Sequence, residues 1–391
     1  MKTFKLLALA AAVCAWVWPC LARGQQNANL TAENSGTATV AYVYVSNPST
    51  NGGPNQIQAY AANSQGQLTP VAGSPFAADE TYMVVNGSYL MGINRTQTDI
   101  DSYRIESDGA LTFATSTNYT QQGCGVAGSL YFDHTGSDLY VQEGLIDCAN
   151  SGVASFSVDK SSGGLQLLGT ANTGAFPGDF TPAFFIGNNV YAYTADNSAC
   201  MYYDIYGFKR QSNGLLVTQI PSYNLPTPPA SFTRYVPFLS AADRTRDVAF
   251  FMIPATPPGC SPNSLQLASY TVDGSGNLNT TNTSATMPTT RIANPYDLKM
   301  APSGKLLAAA GQEGLQVFHF NGSSPITRYT GLLTTDPITQ MFWDNNNHLY
   351  AISQSSNKLY VFGITPTGYR QAPGSPYQIS SPQDIIVQPL Q

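Results

Sequence analysis

The stretch Ile57–Phe76, IQAYAANSQGQLTPVAGSPF, decides the fold. It reads as an alternating strand, a polar turn carrying Gly66, and a second strand opening on Leu68. Such a turn needs a residue with positive φ, which glycine adopts without a steric penalty. The same pattern recurs along the chain. An aliphatic or β-branched residue is followed three positions later by Tyr or Phe at Ile57/Tyr60, Ile100/Tyr103, Val153/Phe156, Ile205/Phe208, Leu267/Tyr270, Leu315/Phe318 and Leu359/Phe362. Eight or nine residues beyond the aromatic come Leu68, Leu111, Leu165, Leu216, Leu278, Ile326 and Arg370. The linkers are NSQGQ, ESDGA, DKSSGG, QSNGL, DGSGN, NGSSP and TPTGY, six of them with Gly near the same place. Each unit is therefore expected to be a β-hairpin. The offset puts the aromatic and the following aliphatic on one sheet face, as a cross-strand pair.

A second pair of strands precedes each hairpin. The clearest is NPYDLKMAPSGKLLAAA at Asn294–Ala310, with counterparts GSLYFDHTGSDLYVQ at Gly128–Gln142 and ITQMFWDNNNHLYAI at Ile338–Ile352. Each repeat thus holds four antiparallel strands, a to d, at a spacing of about 50 residues, which is the pattern of a β-propeller. The first repeat opens on a b strand at AYVYVSN, and the chain ends on SPQDIIVQPLQ, which has the character of an a strand. The fold class expected is all-β: a seven-bladed β-propeller of four-stranded antiparallel blades. Ile385–Val387 would close the ring by completing the blade begun at Tyr42, which hides two sheet edges. The phrase GSPF at Gly73–Phe76 returns as GSPY at Gly374–Tyr377. On this scheme both phrases end outermost strands and flank the closing blade, because an outer strand tolerates the missing N–H of proline.

These residues resemble a known group. YVYVSN, the hairpin IQAYAANSQGQLTPVAGSPF, the PSGKLLAAA turn and the seven-fold repeat look like the seven-bladed lactonase-like propellers, which include 6-phosphogluconolactonase relatives and YVTN-repeat proteins. The resemblance covers about Ala41 to Gln391 and implies a propeller with a ligand site at the mouth of its central channel. It implies lactone hydrolysis only as one activity, since the shared motifs encode turns and blade packing.

The N-terminus, MKTFKLLALAAAVCAWVWPCLARGQQ, has the order of a secretory signal: Lys2 and Lys5, an apolar run over 6–17, then small residues near Ala22–Gly24. Residues 1–24 are expected to be removed, residues 25–40 to form a polar linker, and 41–391 to form a single propeller domain. The protein is then secreted or periplasmic, with no membrane span. Losing Lys2, Lys5 and Arg23 takes the 17 basic residues to 14 against 23 acidic, a net charge near −9. No basic cluster is present, so nucleic acid is excluded as a partner. The chain is expected to be a monomer taking a small sugar, lactone or peptide ligand, without cofactor or metal.

Four cysteines remain, Cys124, Cys148, Cys200 and Cys260. An even count in an exported chain suggests two disulfides. The strand map assigns them as Cys124–Cys148 and Cys200–Cys260, fastening the face that bears the b–c loops. Chemistry is sought on that same face. Glu80, Asp179, Arg234, Asp297, Asp336 and Asp384 stand where the chain enters a strands, and the b–c loops add Asn47, Arg95, Glu143, Asp147, Asp196, Glu313 and Gln354. A carboxylate base with Arg234 could serve a lactonase, although acidic residues at strand starts also cap turns. His134 and His348 fall in a–b turns on the opposite face, and His319 in a c strand. No nucleophile elbow, phosphate-binding glycine loop or paired-histidine zinc motif is present. The sequence therefore supports a binding or scaffold module first, and a hydrolase of a non-phosphorylated sugar lactone second.

Overall fold

The computed structural model describes residues 38–47, 55–96, 98–118, 126–143, 152–172, 184–187, 189–195, 205–219, 221–256, 259–260 and 265–390. Seven antiparallel sheets are formed. With strands given from the innermost outward, blade 1 is Asp384–Pro389, Thr39–Asn47, Gln56–Asn63 and Leu68–Pro70. Blade 2 is Glu80–Val85, Tyr89–Asn94, Asp99–Ile105 and Leu111–Asn118, and blade 3 is Val126–Phe132, Asp138–Glu143, Gly152–Val158 and Leu165–Asn172. Blade 4 is Phe184–Phe185, Tyr191–Ala195, Ile205–Arg210 and Leu216–Thr218, and blade 5 is Arg234–Ala242, Asp247–Thr256, Gln266–Val272 and Leu278–Asn279. Blade 6 is Pro295–Met300, Leu306–Gly311, Gly314–Asn321 and Ser324–Thr334, and blade 7 is Gln340–Trp343, His348–Ser353, Lys358–Thr365 and Gly368–Gln371.

The ring closes as the sequence pattern requires. Val43 pairs with Val387 and Val45 with Ile385, so the last strand of the chain is the inner strand of the first blade. The core lies between blades rather than within them. Seven clusters of buried side chains occur, each spanning one pair of neighbouring blades; Val43, Val45 and Val387, for instance, pack on Tyr350, Ile352 and Val361 of blade 7. A sheet packed on both faces shows nearly continuous burial in its central strands, and Leu306–Gly311 and His348–Ser353 are buried at every position.

The repeated glycine has two causes. Gly66, Gly109, Gly163, Gly214, Gly276 and Gly322 all have positive φ, as the hairpin turns demand. Most of these turns also lean on the b strand of the preceding blade. A Cβ at Gly109 would lie 2.3 Å from the Tyr42 ring, and one at Gly276 would lie 2.7 Å from Tyr191. Tyrosine hydroxyls then donate to the turn carbonyls: Tyr44 to Gly109 at 3.0 Å, Tyr140 to Gly214 at 2.8 Å and Tyr193 to Gly276 at 2.8 Å. The glycine turn is thus a clasp between blades.

Two expectations are refined by the register. The aromatic and the aliphatic after the turn share a face but do not stand directly opposite: Leu68 faces Ala62, and Leu165 faces Val158. The hairpins continue two residues past the aromatic, which makes the pair diagonal neighbours. The GSPF and GSPY phrases, for their part, interrupt the outer strands rather than end them. After Gly73 and the cis Ser74–Pro75 bond, Phe76 pairs again with Ile57; after Gly374 and the cis Ser375–Pro376 bond, Tyr377 pairs with Leu359. Each excursion is pinned by its serine, whose Oγ accepts from the Ala59 or Val361 amide at 2.9 and 2.8 Å. The two phrases do meet in space. Tyr377 Oη accepts from the Leu68 amide at 2.9 Å, joining blade 7 to blade 1.

Candidate functional site: the central channel

The inner strands of blades 1, 2, 3, 6 and 7 enclose a cavity of about 390 Å³ on the channel axis. Its wall carries the rings of Tyr82, Tyr131, Tyr296 and Phe342, the amide of Gln340, and the charged groups Asp297, Lys299 and Asp384. A strand alternates its side chains, so Asp297 and Lys299, two residues apart, share a face. Lys299 Nζ reaches Asp297 Oδ1 at 3.3 Å.

Asp384 and Asp297 repeat one arrangement in two blades. Asp384 Oδ2 accepts a 2.6 Å bond from the Met83 amide of the next blade's inner strand, and Oδ1 accepts from Ile385 N at 2.8 Å. Asp297 Oδ2 accepts from Met341 N at 3.1 Å in the next blade, and Oδ1 from Leu298 N at 2.9 Å. Each carboxylate therefore ties two inner strands together at the wall of the channel. Burial pushes the Asp384 carboxyl up to about 7, against the lowering pull of the Met83 and Ile385 amides and of Lys299. Burial, and then the Asp384 charge, raise the Tyr82 phenol.

The other positions singled out in the sequence lie elsewhere. Glu80 opens the inner strand of blade 2 but points into the blade, against the bare backbone of Gly92, where an added Cβ would be 2.5 Å from Oε2. Its Oε1 accepts from Tyr103 Oη at 3.0 Å, and no donor reaches Oε2 among the described residues. Burial, then the Asp101 charge, push its carboxyl up to about 8. Asp336 binds Lys358 Nζ at 2.9 Å and Tyr360 Oη at 2.5 Å on the c strand of blade 7. Those two hydrogen bonds hold the Asp336 carboxyl below the usual range. Arg234 begins the inner strand of blade 5 and is half-buried. Asp179, Asp147 and Asp196 lie outside the described residues, as do Cys124, Cys148 and Cys200; Cys260 falls on a short strand paired with Ala255.

Of the b–c loop positions, Asn47 donates to Ser380 O, while Glu313 accepts from the Ala293 and Asn294 amides at 2.9 and 3.2 Å. Arg95 and Gln354 are exposed, and Glu143 ends the b strand of blade 3. His134 and His319 take the expected places, whereas His348 begins the b strand of blade 7 rather than lying in the turn before it. His134 lies in an a–b turn, the buried His348 opens a b strand with Nδ1 2.7 Å from Asp344 Oδ2, and His319 sits 4.2 Å from Tyr329 between ring centroids. Among the described residues no group of three or more His, Cys, Asp or Glu is placed to hold a metal ion.

Sequence reasoning passed over Lys299, Tyr82, Tyr296 and Gln340. The available signal was the alternation within PYDLKM, where a lysine stands two residues from an aspartate in a strand otherwise apolar.

No family model and no curated protein matches the chain. Solved structures do. A periplasmic gluconolactonase of Pseudomonas aeruginosa superposes with a TM-score of 0.61 at 14% identity, covering 90% of this chain and 100% of that one. A Lactobacillus plantarum protein gives 0.66 at 13% identity, with 90% and 100% covered. A Bacteroides fragilis protein described as a candidate 6-phosphogluconolactonase gives 0.61 at 12% identity, with 91% and 99% covered. The chain has the lactonase-like propeller fold.

Proposed function

We propose that the protein is an exported binding module that takes a small neutral ring compound, of the sugar class, into the central channel. The observation that carries this reading is the division of labour at the wall. Both carboxylates spend their oxygens on backbone amides of neighbouring inner strands. What the cavity offers a guest is aromatic surface from Tyr82, Tyr296 and Phe342 beside a few polar groups. Sugars present apolar C–H faces to aromatic rings and hydroxyls to polar groups, and most ligand pockets combine those two features. The signal-like N-terminus supports export.

The second reading is lactone hydrolysis. It is favoured by Asp384, whose carboxyl is pushed up to about 7. That value suits a general base at neutral pH, and Lys299 could steady a developing oxyanion. The fold shared with gluconolactonases is consistent with it. One experiment addresses both readings: calorimetric titration with neutral mono- and disaccharides, and a turnover assay with a non-phosphorylated sugar lactone, on the full chain and two variants. Tyr296→Ala, at a ring 46% exposed, should weaken sugar binding about tenfold without disturbing the core. Binding unchanged in that variant, or none across the panel, defeats the binding module. Turnover that rises through about pH 7 and is lost in Asp384→Asn assigns the hydrolase instead.

A further inference from the structure

The channel has a second mouth. At the a–b turn end a cavity of about 590 Å³ opens, and Val85, Phe132, Lys299 and Phe342 line both this cavity and the first. The charged groups around it fall into two sets. Its carboxylates are occupied by donors of their own turns and, for Asp133, also of blade 4. Asp133 Oδ1 accepts from the Ser137 and Asp138 amides at 2.9 and 3.1 Å, and its Oδ2 from Thr135 Oγ1 and Asn189 Nδ2, both at 2.6 Å, with Arg210 at 3.6 Å. Asp243 accepts from Thr245 N and Asp247 N at 2.8 and 3.0 Å and from Thr245 Oγ1. Both aspartates are buried.

The cations are placed differently. Arg244 is exposed at the turn of blade 5 and makes no ion pair among the described residues. Lys299, its side chain 36% exposed, lines both cavities, with Nζ 3.3 Å from Asp297 Oδ1. Arg244 therefore brings to this cavity a guanidinium that no carboxylate occupies among the described residues. Asn345 and Gln388 add amide side chains to the lining.

We propose that the a–b turn mouth is a second binding site, for a small organic carboxylate of sugar-acid size. A guanidinium presents paired N–H donors that match a carboxylate, and amides suit the hydroxyls of such a molecule. The volume lies in the range of ordinary small-molecule pockets. One guanidinium and one ammonium already shared with Asp297 match a monoanion. The site stands whether or not the first cavity binds sugars.

Trp343 is a built-in reporter, since it lines this cavity and its Nε1 donates to Lys299 O at 3.3 Å. The test is fluorine NMR of the full chain labelled with 5-fluorotryptophan, the Trp343 resonance being identified with Trp343→Phe. Sodium gluconate should shift that resonance saturably. Arg244→Ala should weaken the response about tenfold, while Arg246→Ala, exposed in the same turn but off the cavity, should change it less than about twofold. No saturable shift, a wild-type response in Arg244→Ala, or equal losses in both variants overturns the site. Inorganic phosphate acting as well as gluconate overturns its assignment to carboxylates.

Discussion

Glu80 shows how a single side chain can be costly in a fold that otherwise satisfies its polar groups. Its carboxyl is enclosed, receives one hydrogen bond from Tyr103, and lies beside Asp101, which faces Gly92 across the sheet. Asp79, one residue earlier, adds a further negative charge. Two carboxyl groups at such a site favour holding a proton. The folded-state value of about 8 lies above the ordinary 4.5, so the folded protein binds this proton more tightly than the unfolded chain. The stability tied to it is complete below about pH 4.5 and is lost as pH rises to about 8. Chemical denaturation followed from about pH 5 to about pH 8.5 should reveal a fall of roughly 2–4 kcal/mol. In Glu80→Gln, which keeps the neutral shape, the fall should shrink to the share of Asp384, whose carboxyl is also raised, to about 7; an undiminished fall in the variant would locate the pH dependence elsewhere.

At the scale of elements, the hairpin turn serves two purposes, and they can be separated. Gly87 and Gly109 both have positive φ, at 96° and 86°. A Cβ at Gly87 meets nothing within 4 Å, whereas at Gly109 it meets the Tyr42 ring at 2.3 Å. Gly87→Ala therefore registers backbone strain alone, about 1 kcal/mol. Gly109→Ala adds a collision with a ring that is 6% exposed and itself hydrogen-bonded to Ser107 O, for a total of about 2–4 kcal/mol. Denaturant midpoints of the two variants measure the difference. Equal losses would mean that the clasp between blades 1 and 2 yields freely. The same contrast explains the recurrence of glycine in turns whose other residues vary.

For the whole molecule, the decisive contact joins chain positions more than three hundred residues apart. The strand Asp384–Pro389 buries Ile385, Ile386 and Val387, pairs with Thr39–Asn47 and ties blade 2 through Asp384 and Met83. Each fully buried aliphatic contributes about 1.5–3 kcal/mol. Deleting Ser381–Gln391 removes all three and bares an inner edge, so the melting temperature should fall by roughly 10 °C or more. An unchanged melting curve would show that the ring does not depend on this closure.

How much of this was legible in the sequence follows from which interactions are local. Strand alternation, turn glycines and the repeat spacing are dictated within some fifteen residues, and they determined the blades, their number and the closing strand. Even the meeting of GSPF and GSPY followed from counting blades. The site was less legible. Asp297, Asp336 and Glu80 look alike as acidic residues near strand starts, yet one lines the channel, one pairs with Lys358 and one is shut inside a blade. Their directions depend on the twist of each blade and on what the neighbouring blade presents, such as the Met341 amide for Asp297 or the bare Gly92 backbone for Glu80. The sequence by itself determined a seven-bladed ring, because repeated local rules add up to one topology. Only the tertiary structure decided which side chains face the channel cavity, because its wall arises where five separate strands converge.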